Sequence, residues 1–557
     1  MTSVQGNTRQ CQAWRERVYA RHKSLASHLK KSHLRKANKL SYVEANLWLI
    51  DQETKLKIGN SGLFCDCSDH ELKDYAEAKS KNLHLQLIEA SNLYGSKLPE
   101  QQKTLCDYIR EKVERSGIKF PLAESDYSKD EMIAALCRVC TPEWWRRQLR
   151  NTATRQYENY CRKAGFISIS GDIYCSDYTL RRKTEQRAKN QRLLESLEAE
   201  SSSGQVYTLA ELAEKSVSNP INRRNELMTR IAGFESYVKE RPYSDKKLQT
   251  DVPYVGVFLT LTAPSKYHAK IIRKTAADKR YAIPNKKFEG ANPRECNDYL
   301  CTVWANIRSE WAKRDIHPFG FRMVEPHHDG TPHWHMVLFV PENRLIETCY
   351  VFHHYAMRED GDEAGAEEAR TAIVYLDPAK GSAAGYCAKY ISKNIDGFAI
   401  DTDSYGREAV KSAIRISAWA RTWGIRQFQQ IGGPSVTIWR EARRILSGDL
   451  TVDISAEAEP ILKAADAGDW FTYTELMGGP ICPRKERPIR PLMVEADDTN
   501  AYGEALELFK GLIAFGLPTI TRIENWTVQP AGTASRRNSA GGWSASVNHF
   551  STRPKAA

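Results

Sequence analysis

The sequence predicts an α+β protein: a central antiparallel sheet with flanking helices, preceded by a mostly helical, basic N-terminal region. Three observations carry that expectation. Residues 319–325 (FGFRMVE) and 333–340 (HWHMVLFV) are short runs of β-branched, aromatic and aliphatic residues. Between them stand the turn formers Pro326, Asp329, Gly330 and Pro332, so the pair reads as a hairpin. Residues 382–395 (SAAGYCAKYISKNI) read as a helix with Ser382 as its N-cap. From about 250 to about 450, hairpin-like runs alternate with helical ones, which suits helices packed on an antiparallel sheet.

The whole chain bounds the reading. Its 557 residues are too many for one domain, and 41% hydrophobic residues suffice for real cores. A net charge of +12 suggests a polyanionic partner. No run of eighteen apolar residues and no signal-peptide core is present, so no membrane partner and a cytoplasmic location are expected. Thirteen cysteines at irregular spacing suit a reducing compartment better than a disulfide framework.

Taken in order, residues 14–39 carry nine Lys/Arg and one Glu, a basic helix facing either DNA or water. Residues 40–135 are mostly helical in pattern, and FCDCSDH (64–70) reads as a loop. Cys137 and Cys140 form a CxxC with Cys161 and Cys175 downstream; a structural zinc is conceivable, though the second pair has the wrong spacing. Residues 143–192 hold twelve Lys/Arg against five Asp/Glu, with Trp144 and Trp145 among them. Cations with interleaved aromatics suit a single DNA strand, and helix core is the equal alternative for the tryptophans. AESSSGQ (199–205) reads as a flexible break, followed by a helical pair around Asn219-Pro220. The expected boundaries are 1–200 for the N-terminal region, 207–250 for a helical connector, 251–450 for the catalytic domain, 451–530 for a small helical appendage and 531–557 for a disordered tail.

Within 251–450, YVGVFLTLTAP (254–264) reads as a strand buried on both faces, and 294–313 as an amphipathic helix. Residues 343–358 read as a helix and 371–377 as a strand. Residues 415–433 are basic and aromatic, with Arg415, Arg421 and Arg426 as candidate DNA contacts. If Asp329 centres the hairpin turn, Glu325 opposes His333 and Met323 opposes His335. Glu325, His333 and His335 then share one face of the sheet. Two imidazoles and a carboxylate with open positions suit a divalent ion, Mg or Mn, or Zn. His327 and His328, in the turn, are expected at the surface. On the helix, Tyr386, Lys389, Tyr390 and Lys393 fall at i, i+3, i+4 and i+7, on one stripe. A tyrosine becomes a nucleophile when its proton is removed and the attacked group's charge is neutralised, which lysines and a metal can supply.

The stretches FLTLTAP (258–264), VEPHHDGTPHWH (324–335), KGSAAGYCAKYISKNIDG (380–397) and AWARTWGIRQFQQIGGPSVTIWREARRI (418–445) together resemble the HUH endonucleases, and within them the replication gene A proteins of tailed phages. That resemblance implies an HUH nuclease domain that nicks and rejoins one DNA strand through a 5′-phosphotyrosyl link, initiating and terminating rolling-circle replication. It implies Tyr386 and Tyr390 as nucleophiles, and single-stranded or locally melted origin DNA as substrate. It also implies a host helicase and DNA polymerase as partners. No GxxxxGK[ST] is present, so no appended helicase is indicated. Two other readings of the residues stay open: a metal-dependent hydrolase that uses water and leaves no adduct, and a basic DNA-binding protein that never cuts.

Overall fold

The computed structural model describes residues 5–533 except 96–97, 246, 277–279, 378, 380, 399, 404 and 448–453. The expected tail from 531 therefore lies almost wholly outside the described residues. The chain divides into two compact units, residues 1–166 with 496–506, and residues 167–495 with 507–557. The break expected at 199–205 falls inside the second unit. It is a tight hairpin between strands Leu197–Ser201 and Val206–Thr208, closed by Ser201 N–H on the Gln205 carbonyl at 2.8 Å.

The first unit is helical from Arg9 to Ala164. The basic stretch 14–39 is two helices, Arg9–Arg21 and Ala26–Lys39, and some of its cations are engaged internally: Arg15 on Gly6 and Asn46, Arg21 on Glu53. Trp144 and Trp145 are not available to DNA. They are 2% and 0% exposed in the core, edge to face at 5.3 Å, and Trp145 Nε1 donates to the Val139 carbonyl at 2.7 Å. A ring enclosed on both faces cannot take a stacked base, so the core reading holds for both.

Asp69, in the first turn of helix Asp69–Tyr94, ties that helix to helix Pro142–Ala164. Its carboxylate accepts Arg150 Nη2 at 2.6 Å and Arg146 Nη2 at 2.5 Å. The Arg150 hydrogen bonds hold its pKa well below the ordinary carboxylate range; burial opposes them, and Arg146 adds to them. A depressed folded-state pKa contributes stability that is fully present above the unfolded value near 4 and is lost as pH falls through and below it. The pair is about one-third exposed, so we expect Asp69→Asn to cost about 1 kcal/mol near neutral pH. The difference from wild type should vanish at low pH; urea melts at neutral and acidic pH check this.

The second unit is built on a five-stranded antiparallel sheet in the order 371–376, 254–262, 332–341, 319–326, 428–431. Alternation along these strands sends side chains to two cores. Phe258, Phe321, Met323, Val337 and Phe339 face the helices Pro220–Glu240 and Ala383–Ile395. Val257, Leu259, Leu261, Trp334, Met336 and Leu338 face helix Pro293–Lys313, through Leu300, Trp304, Ile307 and Trp311, and helix Leu345–Met357. Both faces being covered explains the near-continuous apolar runs. The segment 451–530 departs from expectation: after two short helices it forms strands 489–499, 505–514 and 517–520 in one sheet. Strand Trp526–Pro530 pairs with Leu197–Ser201. Among the described residues no helix is long and apolar enough to cross a membrane.

Candidate active site

The hairpin has the register its turn predicts, with Glu325 opposite His333 and Met323 opposite His335. On the other side of the strand carrying the histidines, Thr260 opposes His335 and Thr262 opposes His333. The ligand atoms of Glu325, His333 and His335 lie within 4.8 Å of one another, and this is the one such group of three His, Cys, Asp or Glu side chains among the described residues. Cys137, Cys140, Cys161 and Cys175 form no such group among the described residues.

These three residues fit a divalent cation. Burial, followed by the neighbouring imidazoles, holds the His333 pKa well below its ordinary value. Burial likewise brings His335 down to about 4, with Glu325 opposing. Both rings are therefore neutral at neutral pH, the form that offers a lone pair to a metal. His333 Nδ1 is buried with no hydrogen-bond partner, and Thr260 Oγ1 lies 3.0 Å from His335 Nδ1, which leaves Nε2 for an ion. Glu325 is 1% exposed. It accepts Lys393 Nζ at 2.7 Å on one oxygen and Asn394 Nδ2 at 2.5 Å on the other.

The turn residues are a correction. His327 and His328 are not at the surface, because the turn is clamped from all sides. Trp419 Nε1 donates to the Gly330 carbonyl at 2.8 Å, and Asp329 accepts the Ala269 and Thr331 N–H groups at 2.9 and 3.0 Å. His328 is 4% exposed, and His327 stacks on His333 with ring centroids 4.0 Å apart. Gly330 has φ +80°, and a Cβ there would sit 3.1 Å from the Tyr174 carbonyl oxygen.

The helix Ala383–Ile395 starts where Ser382 Oγ accepts the Gly385 N–H at 2.9 Å. Ala383, Cys387 and Ile391 bury its inner face, which turns Tyr390 and Lys393 toward the sheet. The Tyr390 ring is 4.5 Å from that of His335. Phe258 is the wedge: it stacks on His335 and Tyr390 at 5.4 Å each and meets Tyr386 at 4.7 Å. Tyr386 is 41% exposed, 6.4 Å from Tyr390 between ring centroids. Burial first, then Glu325, pushes the Tyr390 pKa upward, so a proton must be drawn off before it can attack. Lys393 reaches the site, whereas Lys389 stays exposed.

The expected DNA contacts at 415–426 fare differently. Arg415 is structural, donating to the Cys175 carbonyl at 2.7 Å and pairing with Asp177. Arg421 and Arg426 are exposed, Arg426 Nε reaching the Phe428 carbonyl at 3.1 Å, and both neighbouring tryptophans, Trp419 and Trp423, are core. Sequence reasoning missed Phe258, Thr260 and Asn394. The first two lie in the strand FLTLTAP on the face the histidines share, Thr260 opposite His335 and Phe258 two residues before it, and strand alternation was the available signal.

The sequence profile of the bacteriophage replication gene A protein (GPA) family matches residues 70–398. The replication gene A protein of Escherichia phage 186 is 39% identical over 414 residues, 72% of this chain and 57% of that protein. That of Escherichia phage P2 is 33% identical over 485 residues, 83% of this chain and 62% of that one. A probable replication endonuclease from a prophage-like region of Salmonella typhimurium is 31% identical over 384 residues, 66% and 45% respectively. The chain thus spans only about three-fifths of the length of the first two relatives. No solved structure matches it. On the profile match and these identities together, the chain belongs to the bacteriophage replication gene A protein family.

Proposed function

We propose that this chain is a replication initiator that nicks one strand of phage or prophage DNA at an origin and rejoins it through a phosphotyrosyl intermediate. The observation that carries the reading is the placement of two tyrosines, one helical turn apart, beside a three-ligand cation site: Tyr390 lies against His335, and Tyr386 lies one ring beyond at the opening to solvent. A divalent cation held by Glu325, His333 and His335 would withdraw charge from the non-bridging oxygens of the scissile phosphate.

The chain's own groups do the rest. One tyrosine oxygen forms a bond to phosphorus as its proton leaves. The P–O3′ bond breaks, and the 3′ oxygen departs as a hydroxyl, free for a polymerase to extend. After one round the second tyrosine attacks the regenerated junction in the same way. The newly freed 3′-hydroxyl then displaces the first tyrosine from its phosphate and closes the circle. Each exchange replaces one phosphodiester by another, so no nucleotide hydrolysis is needed. Lys393 and Asn394 fix the Glu325 carboxylate, and Phe258 holds both phenols against the histidine face.

The test uses labelled single-stranded DNA carrying the sequence that flanks the gene, with Mn, on a denaturing protein gel. The expected result is label travelling with the denatured protein, abolished by chelator. Cleavage with no label on the protein would move the assignment to the water-using hydrolase.

A further inference from the structure

Between the strand 254–262 and helix 293–313 stands a two-stranded ribbon, Lys270–Lys274 paired with Arg280–Pro284. Residues 266–287 hold eight Lys/Arg and one Asp. Lys266 and Lys287 are engaged by Glu359, Asp360 and Glu363 at the ribbon's root. Farther out the arrangement is unusual. The register sets Lys274 directly opposite Arg280, with Lys270 on the same face, and sets Arg273 opposite Tyr281 on the other. Arg273, Lys274 and Arg280 are exposed, and Tyr281 is 41% exposed.

Charge that only kept a ribbon soluble could be of either sign, or mixed. The paired residues of the two strands carry Lys270, Arg273, Lys274 and Arg280 and no carboxylate, and a surface of that one sign points to an anionic ligand. The second face adds an exposed ring beside a guanidinium, the pairing on which unstacked bases rest.

The ribbon's root is anchored to the candidate active site. Asp329, in the turn between Glu325 and His333, accepts the N–H of Ala269, the residue that opens the ribbon. Thr331 Oγ1 donates to the Tyr267 carbonyl at 3.3 Å, and Asn285 Nδ2 closes the base on the Ser265 and His268 carbonyls at 2.8 and 2.9 Å. The His268 ring is 5.0 Å from His327, which stacks on His333. The ribbon is thereby fixed in register with the cation site.

We propose that this ribbon grips the single DNA strand that runs into the Glu325–His333–His335 site, with Lys274 and Arg280 on its phosphates and Arg273 and Tyr281 against its bases. The proposal rests on the reading of the chain as a DNA-processing protein, and names the elements that hold its substrate.

The experiment measures fluorescence anisotropy of a labelled thymidine homopolymer of about 30 nucleotides across a salt series, for the full chain. Wild type is compared with the triple variant Arg273→Glu, Lys274→Glu, Arg280→Glu and with Tyr281→Ala; all four positions are at the surface, so folding is preserved. For the triple variant we expect at least about a tenfold loss at roughly 100 mM salt, and a log–log salt slope shallower by about 1.4, the release expected for the two single-strand phosphate contacts of Lys274 and Arg280. Tyr281→Ala should weaken binding about tenfold with the slope unchanged. A triple variant with wild-type affinity and slope overturns the proposal, as does a loss seen only with duplex of the same length. The adduct gel, run on wild type, separates the two ideas. An adduct with ribbon-independent binding sinks the ribbon alone, and ribbon-dependent binding with no adduct on any DNA upholds the ribbon and sinks the nicking assignment.

Discussion

Replacing both Tyr386 and Tyr390 by phenylalanine is expected to reduce the covalent protein–DNA adduct by roughly three orders of magnitude or more, with DNA binding retained. The substitution is unusually clean here. Phe258 packs on the rings of both tyrosines, so phenylalanine keeps those ring contacts and removes only the phenolic oxygens. The single variants should differ from the double. Each retains one phenol within the same site, so each should form an adduct, while neither can carry out the exchange that closes a circle. Circle formation on a substrate bearing two copies of the nick sequence reads that difference. An adduct of wild-type yield in the double variant would remove the tyrosines from the chemistry.

The second large effect concerns Lys393. Its side chain is 8% exposed and its ammonium sits on Glu325, whose side chain is 2% exposed, an enclosed ion pair beside the candidate cation site. Removing one partner of such a pair leaves the other charged and uncompensated, at a cost of about 3 to 5 kcal/mol. In metal-free protein, Lys393→Met should therefore lower the stability of the second unit by about 3 kcal/mol. A cation bound at Glu325 would restore the balance, so Mn should raise the melting temperature of the variant far more than that of wild type. Thermal melts in EDTA and in Mn check both halves. Equal melting of variant and wild type in EDTA would show that the pair carries no such stress, and equal Mn shifts would separate Glu325 from the ion.

The hairpin of the candidate site and the tyrosine helix are legible in the sequence because their constraints are local. A turn of Pro, Asp and Gly sets the register, strand period two places Glu325, His333 and His335 on one face, and helix period 3.6 places Tyr386, Tyr390 and Lys393 on one stripe. What is not legible depends on distant partners. Whether Trp144 and Trp145 face DNA or core is decided by helices dozens of residues away, and Asp69, which marks that packing, looks like any first-turn acid. His327 and His328 read as loop residues because Trp419, Tyr174 and Ala269, which enclose their turn, come from three other segments. The strands at 489–499 and 505–514 escape notice because they lie largely at the surface. Their Glu, Ala, Leu and Lys content follows helix preference rather than the alternation a buried sheet imposes. The ribbon 270–284 escapes for a related reason: its meaning lies in which cations oppose each other, and register comes only with the fold.

The pairing of strand Trp526–Pro530 with Leu197–Ser201 has a consequence for how the protein is born. Gln529 closes on Glu198, 331 positions earlier in the chain, and the Gly532 N–H reaches the same carboxylate at 2.9 Å. At ribosomal speeds of about 5 to 20 residues per second, the earlier strand waits roughly 20 to 60 seconds for its partner to be made. Throughout that interval it has only the three-residue strand Val206–Thr208 beside it, and its other side is open. Glu198 and Glu200 stand along that strand, where charge discourages pairing with a neighbouring nascent chain. The same two carboxylates then become the acceptors for Gln529, so the groups that guard the unfinished edge are those that latch it when synthesis brings strand Trp526–Pro530 out.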